Sequence, residues 1–330
     1  MNKRKSDHLN FSIGDYIVLS KKRYLTVSEA YSCLDVILSG DATQQDVEQL
    51  LLTLSERGES VTEIVGFAQA MRHHMVKIPL SFSSCLDLCG TGGSGKDRFN
   101  VSTATAFFVA SMGFPVAKHG NYGSRQSNGS FDFLDALAVP YQLTASELVT
   151  QFEKQRLCFL LAKNFHPAMR FVMPARRAVG CRTIFNLLGP LCNPASVTHQ
   201  VIGTTTVEIA EKLAIAIQKL GTVRTLIVVG GDGRDELSLT GCNTIFEVTQ
   251  DQCRQFQWES LNPVIVSDFG DSSHNAALFL ELIAKANNDH PVMRYILANV
   301  GLALYCLGQS DSIDDAIDRK RRFLPGTNEL

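Results

Sequence analysis

Between residues 25 and 76 the apolar positions recur at helical spacing in three blocks. Thr26-Val-Ser-Glu29 reads as a capping box, and Val27, Ala30, Tyr31, Leu34, Ile37 and Leu38 follow until Gly40. Thr43 opens a second helix with Val47, Leu50, Leu51 and Leu54 on one face, stopping near Gly58. Ser60-Val-Thr-Glu63 is another box, leading into Ile64, Phe67, Ala68, Met71 and Met75. Three helices of this size predict a small helical unit that packs on something else.

The pattern changes at residue 85. Short apolar runs (Cys85–Cys89, Pro115–Lys118, Cys158–Ala162, Gln200–Thr204, Thr225–Gly230, Thr244–Val248) now alternate with helical stretches at Val101–Met112, Asp132–Ala138 and Val207–Leu220. Such alternation predicts βα units, hence an α/β region with a central, mostly parallel sheet covered by helices on both faces. Ligands of such sheets sit at the carboxyl ends of the strands, so the chemistry is sought there.

The chain has 330 residues, enough for roughly two domains. Hydrophobic residues make up 45% and charged residues 19%, and 31 basic against 33 acidic side chains leave a formal charge of −2. No general polyanion-binding surface, and so no nucleic-acid partner, is expected from that balance. Nine cysteines are scattered without a C-x-x-C pair, which indicates neither a disulfide framework nor a zinc site. The first ten residues are polar, and the longest mostly apolar run, Ala104–Ala117, has 14 residues against the roughly 20 a membrane span needs. The expectation is a cytoplasmic protein with no membrane partner.

The first strand runs into Gly90-Thr-Gly-Gly-Ser-Gly-Lys96 and then a helix near Val101. Closely spaced glycines let backbone N–H groups approach an anion, and a helix N-terminus adds further donors. Gly90, Gly92 and Gly95 satisfy the dinucleotide pattern, but Lys118-His119 stands where an acid would hold a ribose hydroxyl. Gly90, Gly95 and Lys96 approach a P-loop, but Asp97 replaces its magnesium-ligating hydroxyl residue. Asn100, Ser102 and Thr103 at the helix start are either plain caps or contacts to phosphate or metal. Lys118, at a strand end, calls for an anionic partner. A second loop after Leu226–Val229 carries Asp235 and Glu236, whose like charges favour a cation such as Mg²⁺ held together with substrate phosphates. Arg176 or Arg177 can pair a carboxylate, although adjacent arginines also suit a solvated helix face. The basic runs Lys21–Arg23 and Arg319–Arg322 read as solvated surface.

These blocks resemble the anthranilate phosphoribosyltransferase family. The match is carried by Gly90-Thr-Gly-Gly93, Phe99-Asn-Val-Ser-Thr103, Val116-Ala-Lys-His-Gly-Asn121, His166-Pro-Ala-Met169, Arg182 through Leu191 with Asn193-Pro194, and Asp235-Glu236, in family order over roughly residues 25 to 310. The resemblance implies a small helical domain, residues 1–80 joined by helices from about 140–180, beside an α/β domain at 81–330. It also implies a homodimer formed through the helical domain. The implied reaction moves a phosphoribosyl group from phosphoribosyl pyrophosphate (PRPP) to anthranilate on the way to tryptophan.

In that reading Gly90, Thr91, Gly92, Gly93, Asn100, Ser102, Thr103 and Lys118 bind PRPP. Ser102, Asp235 and Glu236 hold Mg²⁺, while Gly90, His119, Asn121, His166, Arg176 and Gly189 line the anthranilate site. Ser94 stands where the family has an acid, and Tyr122 where it has an arginine; Arg125 supplies a nearby charge for a phosphate. No covalent nucleophile is required and no general base is assigned, because anthranilate's amine is neutral at pH 7. The alternatives are an enzyme of the same scaffold with another acceptor, such as a nucleobase, and a non-enzymatic nucleic-acid binder. Arg176 argues against the first, and the charge balance with the intact Asp235-Glu236 pair against the second.

Overall fold

The computed structural model describes residues 11–92, 98–123, 128–267 and 269–319. Helix α1 (Ile13–Lys22) is capped by Ser12 and was not foreseen, since Ile13, Tyr16 and Ile17 give it barely one apolar turn. Helices α2 (Val27–Ser39), α3 (Gln44–Arg57) and α4 (Val61–His74) begin directly after Thr26, Thr43 and Ser60. Each closes its capping box, with Glu29, Asp46 and Glu63 as the reciprocal acids. Glu63 does more than cap: its buried carboxylate also takes the Leu25 N–H at 2.9 Å and pairs with Arg57, so the α3–α4 junction is internally neutralised.

The α/β region follows as β1 (Leu86–Gly90), α5 (Val101–Ser111), β2 (Val116–Gly120), α6 (Ser130–Ala136), α7 (Ala145–Gln155) and β3 (Leu157–Leu161). Three short helices come next: α8 (Ala162–Phe165), α9 (Met173–Val179) and α10 (Phe185–Leu188). Then come β4 (His199–Thr204), α11 (Val207–Leu220), β5 (Arg224–Val229), β6 (Asn243–Thr249) and β7 (Cys253–Trp258). The described chain ends in α12 (Ser272–Ala284), α13 (Pro291–Cys306) and α14 (Ile313–Arg319).

The seven strands form one sheet in the order β3-β2-β1-β4-β5-β6-β7. The first five are mutually parallel, and β6 and β7 add antiparallel strands at one edge. Both faces are buried. Leu226 and Val228 of β5 enter one core with α5, α12 and α13, while Ile227 enters the other with α4, α10 and α11. That second core continues without a break into α1, α2 and α3 and takes in Ala175 of α9, so the N-terminal helices are seated against the sheet's own covering layer. At the far edge α7 packs on β3 through Leu148 and Phe152.

Helix α13 is buried along its length from Val292 to Cys306, with Arg294 the exception. A helix apolar all round has no periodic face to read, which is why the sequence pattern did not reveal it. Strand β7 escaped for the opposite reason: Cys253-Arg-Gln-Phe-Gln-Trp258 is a mostly exposed edge.

The strand order reverses between β1 and β4. From β1 the chain builds outward through β2 to β3, then returns to place β4 and β5 on the other side. Loops leaving β1 and β4 therefore diverge at their carboxyl ends and open a crevice.

Candidate active site

That crevice holds the glycine loop. Gly90 ends β1, the Thr91 N–H donates to the Gly203 carbonyl at 2.8 Å, and the Thr91 hydroxyl bonds Thr204 at 3.2 Å, so the loop is tied to β4 as it leaves the sheet. Gly92 takes φ +64°, a left-handed value that favours glycine, and directs its N–H to Asp235 Oδ2 at 3.2 Å. The loop after β5 thus folds back over β1 and β4. Its passage needs both seats to be glycine: a Cβ on Gly90 would stand 2.7 Å from Asp235 Oδ2, and one on Gly203 would overlap the Asp235 carbonyl oxygen.

Ser102, Asp235 and Glu236, separated widely in sequence, line one cavity of about 20 Å³, together with Cys89, Gly203 and Asn299. Asp235 is 5% exposed, yet its Oδ1 has no hydrogen-bond partner. Glu236 accepts from the Tyr295 hydroxyl at 2.6 Å. Burial, and then the neighbouring Asp235 charge, push its carboxyl up to about 8. Asn299 of α13 pairs both backbone groups of Leu237 at 3.1 Å and so fixes the loop that carries the two acids. An orphaned carboxylate oxygen beside a second carboxylate and a hydroxyl is a hard-oxygen set suited to Mg²⁺. Among the described residues no group of three or more His, Cys, Asp or Glu side chains is arranged to hold a metal ion alone. The protein therefore offers a partial shell, of the kind completed by substrate phosphates.

Lys118 lies on β2, 3% exposed, with Nζ donating to the Leu88 carbonyl and, at 3.3 Å, to Ser102 Oγ. Burial lowers its pKa, opposed chiefly by Asp87 on the adjacent strand, so the anionic neighbour asked for by the sequence is present. Asp87 in turn accepts the His119 N–H at 3.0 Å, and burial raises its carboxyl. Thr103 Oγ1 is buried without a partner at the start of α5. Asn100, the residue before that helix, does not cap it. Its carboxamide bridges to Gly129 O at 3.2 Å and to Asn275 at 3.0 Å.

His119 and His166 face each other with ring centroids 5.2 Å apart, and His119 Nδ1 reaches the Gly189 carbonyl at 3.3 Å. These three proposed acceptor-site residues thus come together. Burial holds the His119 pKa at about 4. Burial and His119 hold that of His166 at about 3, with the Cys192 backbone opposing least. Neither ring nitrogen of His166 has a hydrogen-bond partner of good geometry. Arg176 on α9 is partly buried and lies over the Phe185 ring at 5.7 Å, and donates to the side-chain Oδ1 of Asn186 at 3.4 Å; burial lowers its pKa. Asn121 is exposed at the end of β2 and accepts from the Tyr122 N–H at 2.9 Å. Tyr122 joins its hydroxyl to that of Tyr141, which donates to Asp135 at 2.5 Å. Gly93, Ser94 and Arg125 lie outside the described residues.

Sequence reasoning missed four residues that shape this site. Arg98 brings Nη1 to 3.6 Å from Asp235 Oδ2, and its position in the glycine loop was a readable hint. Tyr295, Asn299 and Asn275 come from α12 and α13, far along the chain and without a local signature.

The α/β domain model of a glycosyl transferase family matches residues 83–325, and the helical bundle domain model of the same family matches 18–75. A relative from Halalkalibacterium halodurans named anthranilate phosphoribosyltransferase is 41% identical over 298 residues, covering 88% of this chain and 86% of its own. The chain belongs to the anthranilate phosphoribosyltransferase family. Among solved structures, the anthranilate phosphoribosyltransferase of Thermus thermophilus superimposes with a TM-score of 0.87 at 33% identity over 95% of both chains. That of Saccharomyces cerevisiae in complex with PRPP and Mg gives 0.85 at 28% identity, over 96% of this chain and 94% of its own. The helical unit followed by a mostly parallel sheet is this family's fold.

Proposed function

We propose that the chain transfers the phosphoribosyl group of PRPP to the amine of anthranilate, giving N-(5-phosphoribosyl)anthranilate and pyrophosphate in tryptophan biosynthesis. The observation that carries this is the convergence of Ser102, Asp235 and Glu236 on one cavity beside Gly90–Gly92, in the crevice where the strand order reverses. Family membership supports the same reading.

The diphosphate is assigned to the Gly90–Gly93 backbone, the α5 N-terminus with Ser102 and Thr103, and Lys118; Arg125 is assigned to a phosphate. An ammonium has three donors, and Leu88 O and Ser102 Oγ engage two of those on Lys118, leaving one for an anion. Magnesium on Ser102, Asp235 and Glu236 supplies positive charge to the diphosphate oxygens when bound. Departure of pyrophosphate builds negative charge on the leaving group. Lys118 and the pre-aimed N–H groups stabilise that charge without reorganising, each lost donor costing about 2.7–4 kcal/mol of barrier. Gly90, His119, Asn121, His166, Arg176 and Gly189 are assigned to anthranilate, with Arg176 holding the carboxylate. Both histidines are neutral at pH 7, so they add no charge beside the acceptor ring. The amine needs no strong base, so orientation supplies most of the protein's contribution.

Residues 1–80, joined by helices from about 140–180, are proposed as the helical domain and 81–330 as the α/β phosphoribosyl-binding domain, with two copies joined through the helical one. Val18 of α1 and Leu52 of α3, 51% and 41% exposed, offer apolar surface there, and light scattering at twice the chain mass is the expected result. No helix among the described residues is long and apolar enough to cross a membrane; a cytoplasmic location is proposed with the biosynthetic role.

The test follows loss of anthranilate fluorescence with PRPP and Mg²⁺. Turnover is expected, and Asp235→Ala/Glu236→Ala should abolish it while weakening Mn²⁺ binding measured by electron paramagnetic resonance. Pyrophosphate release with another acceptor, and none with anthranilate, would overturn the reading.

A further inference from the structure

The loops after β1 and β2, which the proposed function assigns to PRPP, are joined from beneath by one buried side chain on a distant helix. Asn275 sits in the first turn of α12 and is fully buried. Its Oδ1 accepts the Gly270 N–H at 3.1 Å, which fixes the orientation of the carboxamide. Its Nδ2 donates to the Arg98 carbonyl at 3.1 Å and to Asn100 Oδ1 at 3.0 Å, both in the loop after β1.

Asn100 then passes the connection on, its Nδ2 donating to Gly129 O in the loop after β2. Asn128, in that second loop, donates to the same Arg98 carbonyl at 3.1 Å and to Gly270 O at 3.2 Å, and accepts the Ser272 hydroxyl at 3.1 Å. Three asparagines and a serine thus close a ring of bonds around Arg98, the residue whose guanidinium reaches Asp235. Asn100, Ser272 and Asn275 are buried and Asn128 is half-buried, and their strongest bonds are satisfied within the ring. A buried carboxamide left without partners is costly, so the ring favours one loop separation over its neighbours.

We propose that Asn275 is a positioning residue for the phosphoribosyl donor, its carboxamide setting the gap between the two loops that grip PRPP. The inference rests on the assignment of those loops to PRPP. It also changes the part given to Asn100. With Oδ1 and Nδ2 both engaged by protein, Asn100 acts as the link between the loops.

The decisive variant is Asn275→Asp, which is isosteric and keeps the acceptor for Gly270 N–H while removing both donors. Removing both donors leaves Asn100 Oδ1 without its Asn275 partner, a loss of about tenfold or more. The KM for PRPP should therefore rise about tenfold or more, with the KM for anthranilate changed less than about twofold. A general loss of structure would move both constants and the melting temperature together. Backbone amides at 98–103 and 128–131 should also exchange hydrogen faster in the variant. If Asn275→Asp does not fold, Ser272→Ala, which removes one bond to Asn128, should shift the PRPP KM in the same direction by a smaller factor. An unchanged PRPP KM, or equal rises in both KM values, would overturn the proposal. If the wild-type chain shows no turnover with PRPP and anthranilate, the functional reading fails instead. The clasp itself is then decided by hydrogen exchange, and unchanged exchange in Asn275→Asp overturns it.

Discussion

Arg176 is a guanidinium taken partly out of water with a neutral amide oxygen, on Asn186, as its hydrogen-bond partner and the Phe185 ring beneath it. Burial lowers its pKa, and among the described residues no anion is paired with it. A bound carboxylate would repair that deficit, and hydrogen bonds to charged groups contribute about 1.5–3 kcal/mol. Arg176→Gln should therefore raise the anthranilate KM about tenfold or more while leaving the PRPP KM nearly unchanged; equal effects on both would remove the assignment. His166 makes a different demand. Both ring nitrogens are buried without partners, so His166→Phe should equal or exceed the wild type in stability at pH 7 while losing affinity for anthranilate. Acid separates the two proteins. Between the ordinary histidine value of about 6.5 and about 3, the unfolded chain binds a proton on His166 that the folded chain refuses. Wild-type stability must then fall with falling pH by about 1.4 kcal/mol per unit more than that of the variant. Urea titrations between pH 6.5 and 4.5 read this slope, and parallel curves would contradict the buried, neutral histidine.

At the scale of elements, the site depends on one loop passing over two strand ends. Gly203→Ala places a methyl group on the Asp235 carbonyl oxygen, so the acid loop must move or β4 must shift. Overpacking of this kind typically costs about 1–3 kcal/mol. The expected result is a lowered melting temperature together with loss of Mn²⁺ binding, whereas a variant that binds Mn²⁺ normally would show that the loop does not need this seat. The N-terminal helices and the strands that lead to the glycine and acid loops were legible in the sequence because each announces itself locally. Thr26, Thr43 and Ser60 cap helices that begin where expected, and Gly90–Gly92 and Asp235-Glu236 follow apolar strands. The supports were not legible. Asn275, Tyr295 and Asn299 look like ordinary polar interruptions of α12 and α13, and their meaning exists only once those helices are docked. Asn100 misleads for the same reason, since a residue before a helix reads as its cap until a partner 175 positions away claims its side chain.

At the scale of the whole molecule, the near-zero charge of −2 does not oppose an anionic substrate, because the cations that matter are few and placed. Lys118 under the glycine loop and Arg98 beside Asp235 supply positive charge where the crevice opens, while bidentate pairs such as Arg23 with Glu29 neutralise the surface elsewhere. The bonds that assemble the crevice share another property. Thr91 to Thr204 spans 113 residues, Gly92 to Asp235 spans 143, and Asn275 to the Arg98 carbonyl spans 177. Contacts of such range close late, because chain entropy is lost before they return any stability. The helices with their local caps form without them. On dilution from urea, helical circular dichroism should therefore return well before Mn²⁺ binding does; simultaneous recovery would mean that the crevice forms with the first structure. Competence for ligand is then a clock on the last stage of folding, and a newly made chain spends an interval folded in outline but unable to hold its substrate.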